Sequence, residues 1–309
     1  MTSRAEQAAV SVVTDTLTPA QISGVLDVVA AATEADGVGP LSEHGLLHVR
    51  HGESGESGTD VVASTDGQIV GYAYADKPGR APEVTGELVV HPAHRRRGVG
   101  TALADALGRQ AGTRALLLWA HGDLPAAAGL ARSAGFKRVR ALWQMRRSLA
   151  EPLPDVEFPA GVAVRTFRVG QDEESWLRVN GRAFAEHPEQ GAWTMRDIEL
   201  REREPWFDAD GFLMAERDGR LAGFHWTKIH PAKGAEPSIG EVYVLGIDPD
   251  AHGGGLGKAL TVAGLRYLAG RGVGQVMLYV DEENTAAIRL YQGLGFVRRR
   301  TDGVFSRGV

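Results

Sequence analysis

The sequence predicts an α/β fold, in the α+β sense of helices flanking a mixed sheet, with two similar domains in tandem. Three landmarks recur in the same order along the 309 residues: a proline that ends a strand, a glycine that precedes a helix, and a glycine that follows one. The pairs are Pro92 with Pro249 and Gly98 with Gly255, each 157 positions apart, and Gly135 with Gly295, 160 positions apart. Landmarks that keep their order at nearly one spacing indicate an internal duplication.

The composition is that of an ordinary globular protein. Hydrophobic residues make up 43% of the chain and charged residues 24%, and the length favours two domains. Neither an apolar run of about 18 residues nor a signal segment is present, so we expect a cytoplasmic protein with no membrane partner. The absence of cysteine excludes disulfides, cysteine-ligated metals and a thiol nucleophile. The net charge of −5 argues against nucleic-acid binding.

The first half predicts helices and strands in alternation. Thr18 and Pro19 cap the start of a helix that Gly37 ends. A short helix from Ser42 and a hairpin that turns at Asp66 follow. The remaining elements are a strand at 86–90, a helix from 99, a strand at 115–120, a helix from 125 and a strand from 137.

Two polar clusters in this half have local interpretations. His44, His48 and His51 recur at helical spacing, but we predict no metal site, because an uncovered set of histidines alone is rarely a metal centre. The run from Arg95 to Arg97 directly precedes a glycine turn. We interpret it as a phosphate clamp and not as a nucleic-acid patch.

Residues 150–161 contain three prolines and form the best candidate for a linker. We therefore predict an N-terminal domain at 1–150 and a C-terminal domain at 151–309. The second half then repeats the plan of the first. Its elements are a strand at 162–167, two helical stretches separated by 187–191, a hairpin at 218–219, a strand at 241–247 with its helix, a strand at 276–280 and a helix at 284–293.

The stretch 241–258, EVYVLGIDPDAHGGGLGK, predicts a strand, a glycine-rich turn and a helix. Strand alternation places Glu241, Tyr243 and Leu245 on one face. The glycines that follow can adopt positive φ and direct backbone N–H groups to an anion at the helix N-terminus, which suits a pyrophosphate. A P-loop is disfavoured because Ala259 follows Lys258, where a P-loop has the serine or threonine that binds magnesium. A dinucleotide-binding fingerprint is disfavoured because it lies in the first βα unit of a parallel sheet, whereas this turn lies late in its domain.

The two glycine turns resemble the acetyl-CoA signature of the Gcn5-related N-acetyltransferase (GNAT) superfamily, Gln/Arg-x-x-Gly-x-Gly/Ala. The copies are HGGGLG from His252 to Gly257 and RRRGVG from Arg95 to Gly100. The resemblance implies tandem GNAT domains and acetyl-CoA as co-substrate, with one molecule expected in each domain and no metal. His252 departs from the signature, so we expect weaker or pH-dependent cofactor binding there.

Aligning the halves on their landmarks places Val84 opposite Glu241 and Ala131 opposite Tyr291. Acetyl transfer to an amine in GNAT enzymes needs a base for the incoming ammonium and often an acid for the departing thiolate. Only the second half offers both groups. We therefore expect a catalytic C-terminal domain and an N-terminal domain that binds acetyl-CoA without catalysis.

Four longer motifs narrow the resemblance to a tandem-domain branch of the superfamily: HPEQGAWT, GFHWTKIHP, GEVYVLGIDP and RLYQGLGF. That branch acetylates the cysteinyl amine of cysteinyl-glucosaminyl-inositol, 1D-myo-inositol 2-(L-cysteinylamino)-2-deoxy-glucopyranoside. The resemblance implies that Glu241 is the general base and Tyr291 the general acid. It implies acceptor contacts at Glu43, Glu189, Lys228 and Tyr279, whose charged and hydroxyl groups fit a polyhydroxylated amine.

The resemblance also implies two sets of acetyl-CoA contacts. In the C-terminal half they are Leu245, Gly246, Ile247, His252, Gly253, Gly254, Gly255, Leu256, Gly257, Lys258, Asn284, Thr285, Ala286, Ala287, Ile288 and Arg289. In the N-terminal half they are Leu88, Val89, Val90, Arg96, Arg97, Gly98, Val99, Gly100 and Thr101. We expect a monomer. Two alternatives stay open: a tandem GNAT that acetylates an aminoglycoside-like amine or a peptide N-terminus, and a non-catalytic acetyl-CoA sensor.

Overall fold

A computed structural model describes residues 9–13, 16–51, 58–76, 83–186, 188–232 and 237–308, without the side chains of residues 10, 12, 13, 188 and 189. The chain divides into two compact units, residues 1–142 with 300–309 and residues 143–299. These units differ from the predicted ranges in two segments, since 143–150 belong to the second unit and 300–309 to the first. No helix within the described ranges is long and apolar enough to cross a membrane.

Apart from β1, which was not predicted, the elements of the first repeat follow the predicted order. They are β1 (Ala9–Val13), α1 (Pro19–Asp36), α2 (Glu43–His51), β2 (Gly58–Thr65), β3 (Gln68–Asp76), β4 (Glu83–Val90), α3 (Val99–Ala111), β5 (Ala115–Ala120), α4 (Pro125–Ser133) and β6 (Lys137–Ser148). Helix α1 begins with a capping box between Thr18 and Gln21 and ends at Gly37, whose φ is 67°. The predicted cap and stop are therefore confirmed.

The second repeat has the same plan with one additional short helix. Its elements are β7 (Val162–Thr166), α5 (Glu173–Ala183), α6 (Pro188–Gly191), α7 (Met195–Glu202), β8 (Phe212–Arg217), β9 (Arg220–His230), β10 (Ile239–Ile247), α8 (Leu256–Gly270), β11 (Gln275–Asp281), α9 (Thr285–Gly293) and β12 (Val297–Arg307).

Each unit contains a mixed sheet, which confirms the predicted fold class. The strand order is β1-β2-β3-β4-β5-β12 in the first unit and β7-β8-β9-β10-β11-β6 in the second. The pairs β4–β5 and β10–β11 are parallel, and β12 runs antiparallel to β5. Strand β6 is thus encoded in the first repeat but lies beside β11, whereas β12 is encoded in the second repeat but pairs with β5. This exchange of end strands explains why the units differ from the predicted ranges.

Helices cover both faces of each sheet. In the first unit, α3 and α4 close one core, and α1 and α2 close the other. In the second unit, α8 and α9 pack on one face over aliphatic residues. The opposite face, under α5 and α7, is aromatic and contains the fully buried rings of Trp176, Phe212, Phe224 and Trp226.

Strand β10 contains a β-bulge between Val242 and Val244, where its pairing with β9 shifts by one residue. A bulge adds one residue to one strand and so breaks the alternation of faces. Tyr243 and Val244 both pack on the aromatic face, and Leu245 packs on the face of α8. The prediction that Glu241, Tyr243 and Leu245 share a face was therefore wrong.

The contact between α8 and β9 leaves no room for a side chain at Gly264. A Cβ at this position would lie 2.2 Å from the Cε1 and Nδ1 atoms of His225, which is fully buried. We expect Gly264→Ala to lower the free energy of unfolding by about 1–3 kcal/mol through overpacking. Gly270→Ala is the matched control in the same helix, because a Cβ there meets no atom within 4 Å. Urea denaturation of both variants measures the difference, and equal stabilities would contradict the packing described here.

Candidate active site

The glycine turn before α8 is open to solvent. Gly253, Gly254 and Gly255 have φ values of 88°, 62° and 83°. A Cβ at Gly253 or Gly255 would meet no atom within 4 Å, and one at Gly254 would approach only Pro159 at 3.9 Å. Three consecutive left-handed residues at a helix N-terminus form a concavity suited to an anion. The turn therefore fits the pyrophosphate of acetyl-CoA.

The first unit has a similar turn before α3. Arg96 and Gly98 adopt φ values of 63° and 84°, at the positions that correspond to Gly253 and Gly255. Arg95 is not part of a phosphate clamp, because its guanidinium forms two hydrogen bonds to Asp36 at 2.8 and 2.7 Å. The exposed cations of this turn are those of Arg96 and Arg97.

Beside the turn, the two parallel strands separate. β10 pairs with β11 only from Gly240 to Val242, although β10 continues to Ile247 and β11 to Asp281. The predicted cofactor contacts Leu245, Gly246 and Ile247 lie on the stretch that no longer pairs with β11. We refer to this gap between β10 and β11 as the wedge. Unpaired strand N–H and C=O groups there suit a ligand with amide groups, such as the pantetheine arm of CoA.

The other end of the predicted cofactor site is the start of α9. Asn284 caps this helix by accepting a hydrogen bond from the backbone N–H of Ala287 at 3.0 Å. His252 is exposed, and its Nε2 donates to the carbonyl of Ile247 at 3.1 Å. The imidazole thus contacts the end of β10.

The strand registers correct the alignment of the two repeats. In the first unit the parallel pairing of β4 with β5 ends at Gly86, opposite Leu118. In the second unit the pairing of β10 with β11 ends at Val242, opposite Leu278. The last paired residues, Gly86 and Val242, correspond, so Thr85 and not Val84 is the counterpart of Glu241. The sequence alignment missed this because β10 carries the additional bulge residue, whereas β4 pairs with β3 without a shift.

Glu241 is the third residue of β10, and its side chain is largely buried. Its Oε2 atom lies 2.6 Å from Nε2 of His230, at the end of β9. Directly opposite Glu241 on β9 is Lys228. The Lys228 ammonium lies 4.0 Å from the centre of the Trp206 ring and 5.1 Å from that of Tyr243, which favours the cation through cation–π attraction.

A second cation, Arg201, packs on the same face of the sheet as Lys228. Arg201 donates from Nε to the Tyr243 hydroxyl at 2.7 Å, and its guanidinium lies 3.8 Å from the centre of the Trp193 ring. Sequence reasoning did not identify Arg201, Trp206, Tyr243 or His230 as site residues. A signal existed for His230, since it follows Lys228 by two positions in a strand and therefore shares its face.

Tyr291 lies on the face of the sheet opposite to Glu241. It lies on α9 in the core formed with α8, to which Val242 also belongs. The neighbours of Glu241 in the strand, Gly240 and Val242, both face α8. Because side chains alternate along a strand, Glu241 points to the opposite face of the sheet. Burial raises the pKa of the Tyr291 phenol to about 12.

The predicted acceptor residues are dispersed among several elements. Lys228 is adjacent to Glu241, as described above. Tyr279 lies on β11, and its hydroxyl accepts a hydrogen bond from Nε2 of Gln144 at 2.7 Å. Glu43 begins α2 of the first unit and is half-buried. The side chain of Glu189 lies outside the described residues.

Comparison with known proteins identifies two acetyltransferase domains. The model of the acetyltransferase (GNAT) family matches residues 175–296, and that of an acetyltransferase (GNAT) domain matches residues 57–138. The mycothiol acetyltransferase of Thermobispora bispora is 55% identical, over 94% of this chain and 97% of its own. That of Thermomonospora curvata is also 55% identical, over 95% of this chain and 96% of its own.

Solved structures show the same fold. A GCN5-related N-acetyltransferase from Sphaerobacter thermophilus is 25% identical and superimposes with a TM-score of 0.65 over 97% of both chains. A tandem GNAT protein from the clavulanic acid biosynthesis pathway is 23% identical, with a TM-score of 0.71 over 97% of this chain and 98% of its own.

The buried phenol leads to a spectroscopic prediction. Because the pKa of Tyr291 is raised to about 12, its neutral form persists where an ordinary tyrosine, with a pKa near ~10, ionises. We expect Tyr291→Phe to leave the tyrosinate absorbance unchanged up to about pH 11. If the variant instead lacks the absorbance of one tyrosinate whose titration midpoint in the wild-type protein is near ~10, the burial of this hydroxyl is contradicted. The comparison requires that both proteins remain folded, which circular dichroism checks at each pH.

Proposed function

The chain belongs to the mycothiol acetyltransferase family of GNAT proteins, and from that premise we propose that it acetylates the cysteinyl amine of cysteinyl-glucosaminyl-inositol. The products are mycothiol and CoA. The observation that carries the proposal is a buried carboxylate, Glu241, at the edge of the wedge in a chain whose similarity to these relatives covers nearly its whole length.

Glu241 acts as the general base for the acceptor. An α-ammonium has a reference pKa near ~8, so its deprotonation at neutral pH costs about 1.4 kcal/mol. Glu241 accepts this proton, directly or through one water molecule. The free amine then attacks the thioester carbonyl, a C–N bond forms, and the C–S bond breaks. The nitrogen releases its second proton to solvent, which leaves the neutral amide and the CoA thiolate.

Tyr291 acts on the departing sulfur from the opposite side of the sheet. Complete proton transfer from a phenol with a pKa of about 12 to a thiolate whose acid titrates near ~8.5 is uphill by roughly 5 kcal/mol. The main contribution of this general acid is therefore a hydrogen bond donated to the developing thiolate. The protonated phenol is available for that role over the whole neutral range.

Several side chains support acceptor recognition. Lys228 presents an ammonium beside the base, and the Tyr279 hydroxyl adds a polar group on the neighbouring strand. Both groups bond hydroxyls, as a sugar–inositol ligand requires. Glu189 belongs to the proposed acceptor set by its correspondence to the family motif, and the contact at Glu43 stays a prediction. Their carboxylates suit hydroxyl groups and the cationic amine.

The first unit binds a second acetyl-CoA without turning it over. Its turn shares two left-handed positions with the turn of the second unit, and its parallel pair also ends before β4 does. The catalytic positions, however, hold Thr85 and Ala131. Neither side chain can act as a base or as the phenolic donor. A monomeric state, a cytoplasmic location and the absence of nucleic-acid or membrane partners stay predictions.

The acceptor proposal is tested by thiol release from acetyl-CoA. We expect release with cysteinyl-glucosaminyl-inositol and none with glucosaminyl-inositol, which lacks the cysteinyl amine. Glu241→Gln should still bind acetyl-CoA but lower kcat by about 100-fold or more, as expected for removal of a general base. Release with a different amine only would refute the proposed acceptor, and wild-type turnover by Glu241→Gln would refute the proposed base.

Separate cofactor sites are tested by a matched pair of glycine substitutions. Gly98 and Gly255 have nearly the same φ, 84° and 83°, so alanine strains both turns equally. We expect Gly255→Ala to raise the KM for acetyl-CoA about tenfold, which corresponds to the loss of about 1.4 kcal/mol of binding. Gly98→Ala should weaken one of two binding steps in calorimetry and leave that KM unchanged. A single binding step in the wild-type protein would contradict the two-site proposal.

A further inference from the structure

The carboxylate of Glu241 has a partner that the family motif does not assign. Nε2 of His230 lies 2.6 Å from Oε2 of Glu241. His230 pairs with Ile239 in the β9–β10 register, which makes it the diagonal neighbour of Glu241 on the same face. Lys228 occupies the directly opposite position. The contact thus follows from the strand register and not from a chance approach of two flexible side chains.

The exposures of the two side chains differ. The Glu241 side chain is 11% exposed and that of His230 34%. A buried carboxylate must replace its lost hydration with hydrogen-bond donors. Among the residues that the structure describes, His230 supplies the only hydrogen bond that Glu241 receives through its carboxylate. The imidazole is therefore the group that can fix the direction of this carboxylate.

We propose that His230 is a positioning residue for the base. Its Nε2–H donates to Oε2 of Glu241, which fixes the carboxylate plane and leaves Oε1 to accept the proton of the acceptor ammonium. This inference rests on the proposed function. It assigns His230 no direct contact with either substrate and no proton of its own in the reaction.

The kinetic test uses two substitutions of His230. His230→Phe removes the donor, and we expect kcat to fall about 10- to 100-fold with no change in the KM for acetyl-CoA, as for other loss of support to a catalytic group. His230→Gln retains an N–H donor and should lose much less. Equal losses in the two variants would overturn the proposal, because a positioning role requires only a donor.

A double-mutant cycle tests whether His230 acts through Glu241. In the Glu241→Gln background, His230→Phe should cause little further loss, because the carboxylate that it positions is gone. The same fold-loss in both backgrounds would overturn the proposal. If wild-type protein acetylates another amine but not cysteinyl-glucosaminyl-inositol, the acceptor proposal fails, and the cycle is measured with that amine.

A third measurement does not depend on turnover. Long-range ¹H–¹⁵N spectra report which ring nitrogen of a histidine carries the proton, and His230→Phe assigns the signal. We expect His230 protonated at Nε2 in the wild-type protein, with a shifted signal in Glu241→Gln. A neutral ring protonated only at Nδ1 would overturn the proposal. Circular dichroism confirms the fold of each variant.

Discussion

The separation of β10 from β11 after three paired residues is the constraint on which the site depends. A continuous parallel pair would satisfy all backbone groups internally and leave no gap for a ligand. Because pairing ends at Val242 and Leu278, strand groups from Tyr243 onward become available on that edge. Glu241 and Tyr291 lie on opposite faces of the sheet beside this gap, and the proposed reaction uses both groups.

The bulge at Tyr243 distinguishes the two repeats. Without an inserted residue, β4 keeps strict alternation from Glu83 to Val90, and Val84, Leu88 and Val90 all pack toward α3. With it, β10 turns Tyr243 toward Arg201 and Lys228 while Leu245 and Ile247 still face α8. One additional residue therefore brings Tyr243 into contact with two cations without disturbing the core beneath α8.

Features encoded locally were predictable from the sequence. The capping box at Thr18, the left-handed glycines before α3 and α8, and the hairpins at Asp66 and Asp218 each depend on residues within a few positions. The order of the helices and strands after β1 followed from these signals, whereas β1 itself was not predicted. The site itself was predictable only where the chain repeats itself or matches the family motif.

Features that depend on register or on distant partners were not predictable. Strands β6 and β12 occupy equivalent places in their repeats, so no local residue determines which sheet edge each one fills. The bulge between Val242 and Val244 has no glycine or proline to mark it in the sequence, and Val84 was consequently aligned with Glu241. Arg95 was assigned to phosphate because Asp36, its partner, lies 59 positions away.

The first unit uses its buried polar groups differently from the second. At the end of its parallel pair, Glu87 accepts hydrogen bonds from the Ser42 backbone at 2.9 Å and from His121 at 2.7 Å. Burial alone lowers the pKa of His121, but its bonds to Asp302 and Glu87 outweigh burial and raise that pKa to about 10. A cationic imidazolium between two carboxylates thus holds together α2, the end of β5 and the chain's final strand.

The two carboxylates, Glu87 and Glu241, differ in the number of hydrogen-bond donors around them. Glu87 accepts hydrogen bonds from the backbone N–H and the hydroxyl of Ser42, and it also contacts His121. Both of its carboxylate oxygens therefore take part in contacts within the first unit. The carboxylate of Glu241 has one hydrogen bond among the described residues, from His230 to Oε2, and the proposal assigns Oε1 to the substrate. This difference supports the proposed role of Glu241 as a base, because the surrounding chain directs fewer hydrogen-bond donors at it than at Glu87.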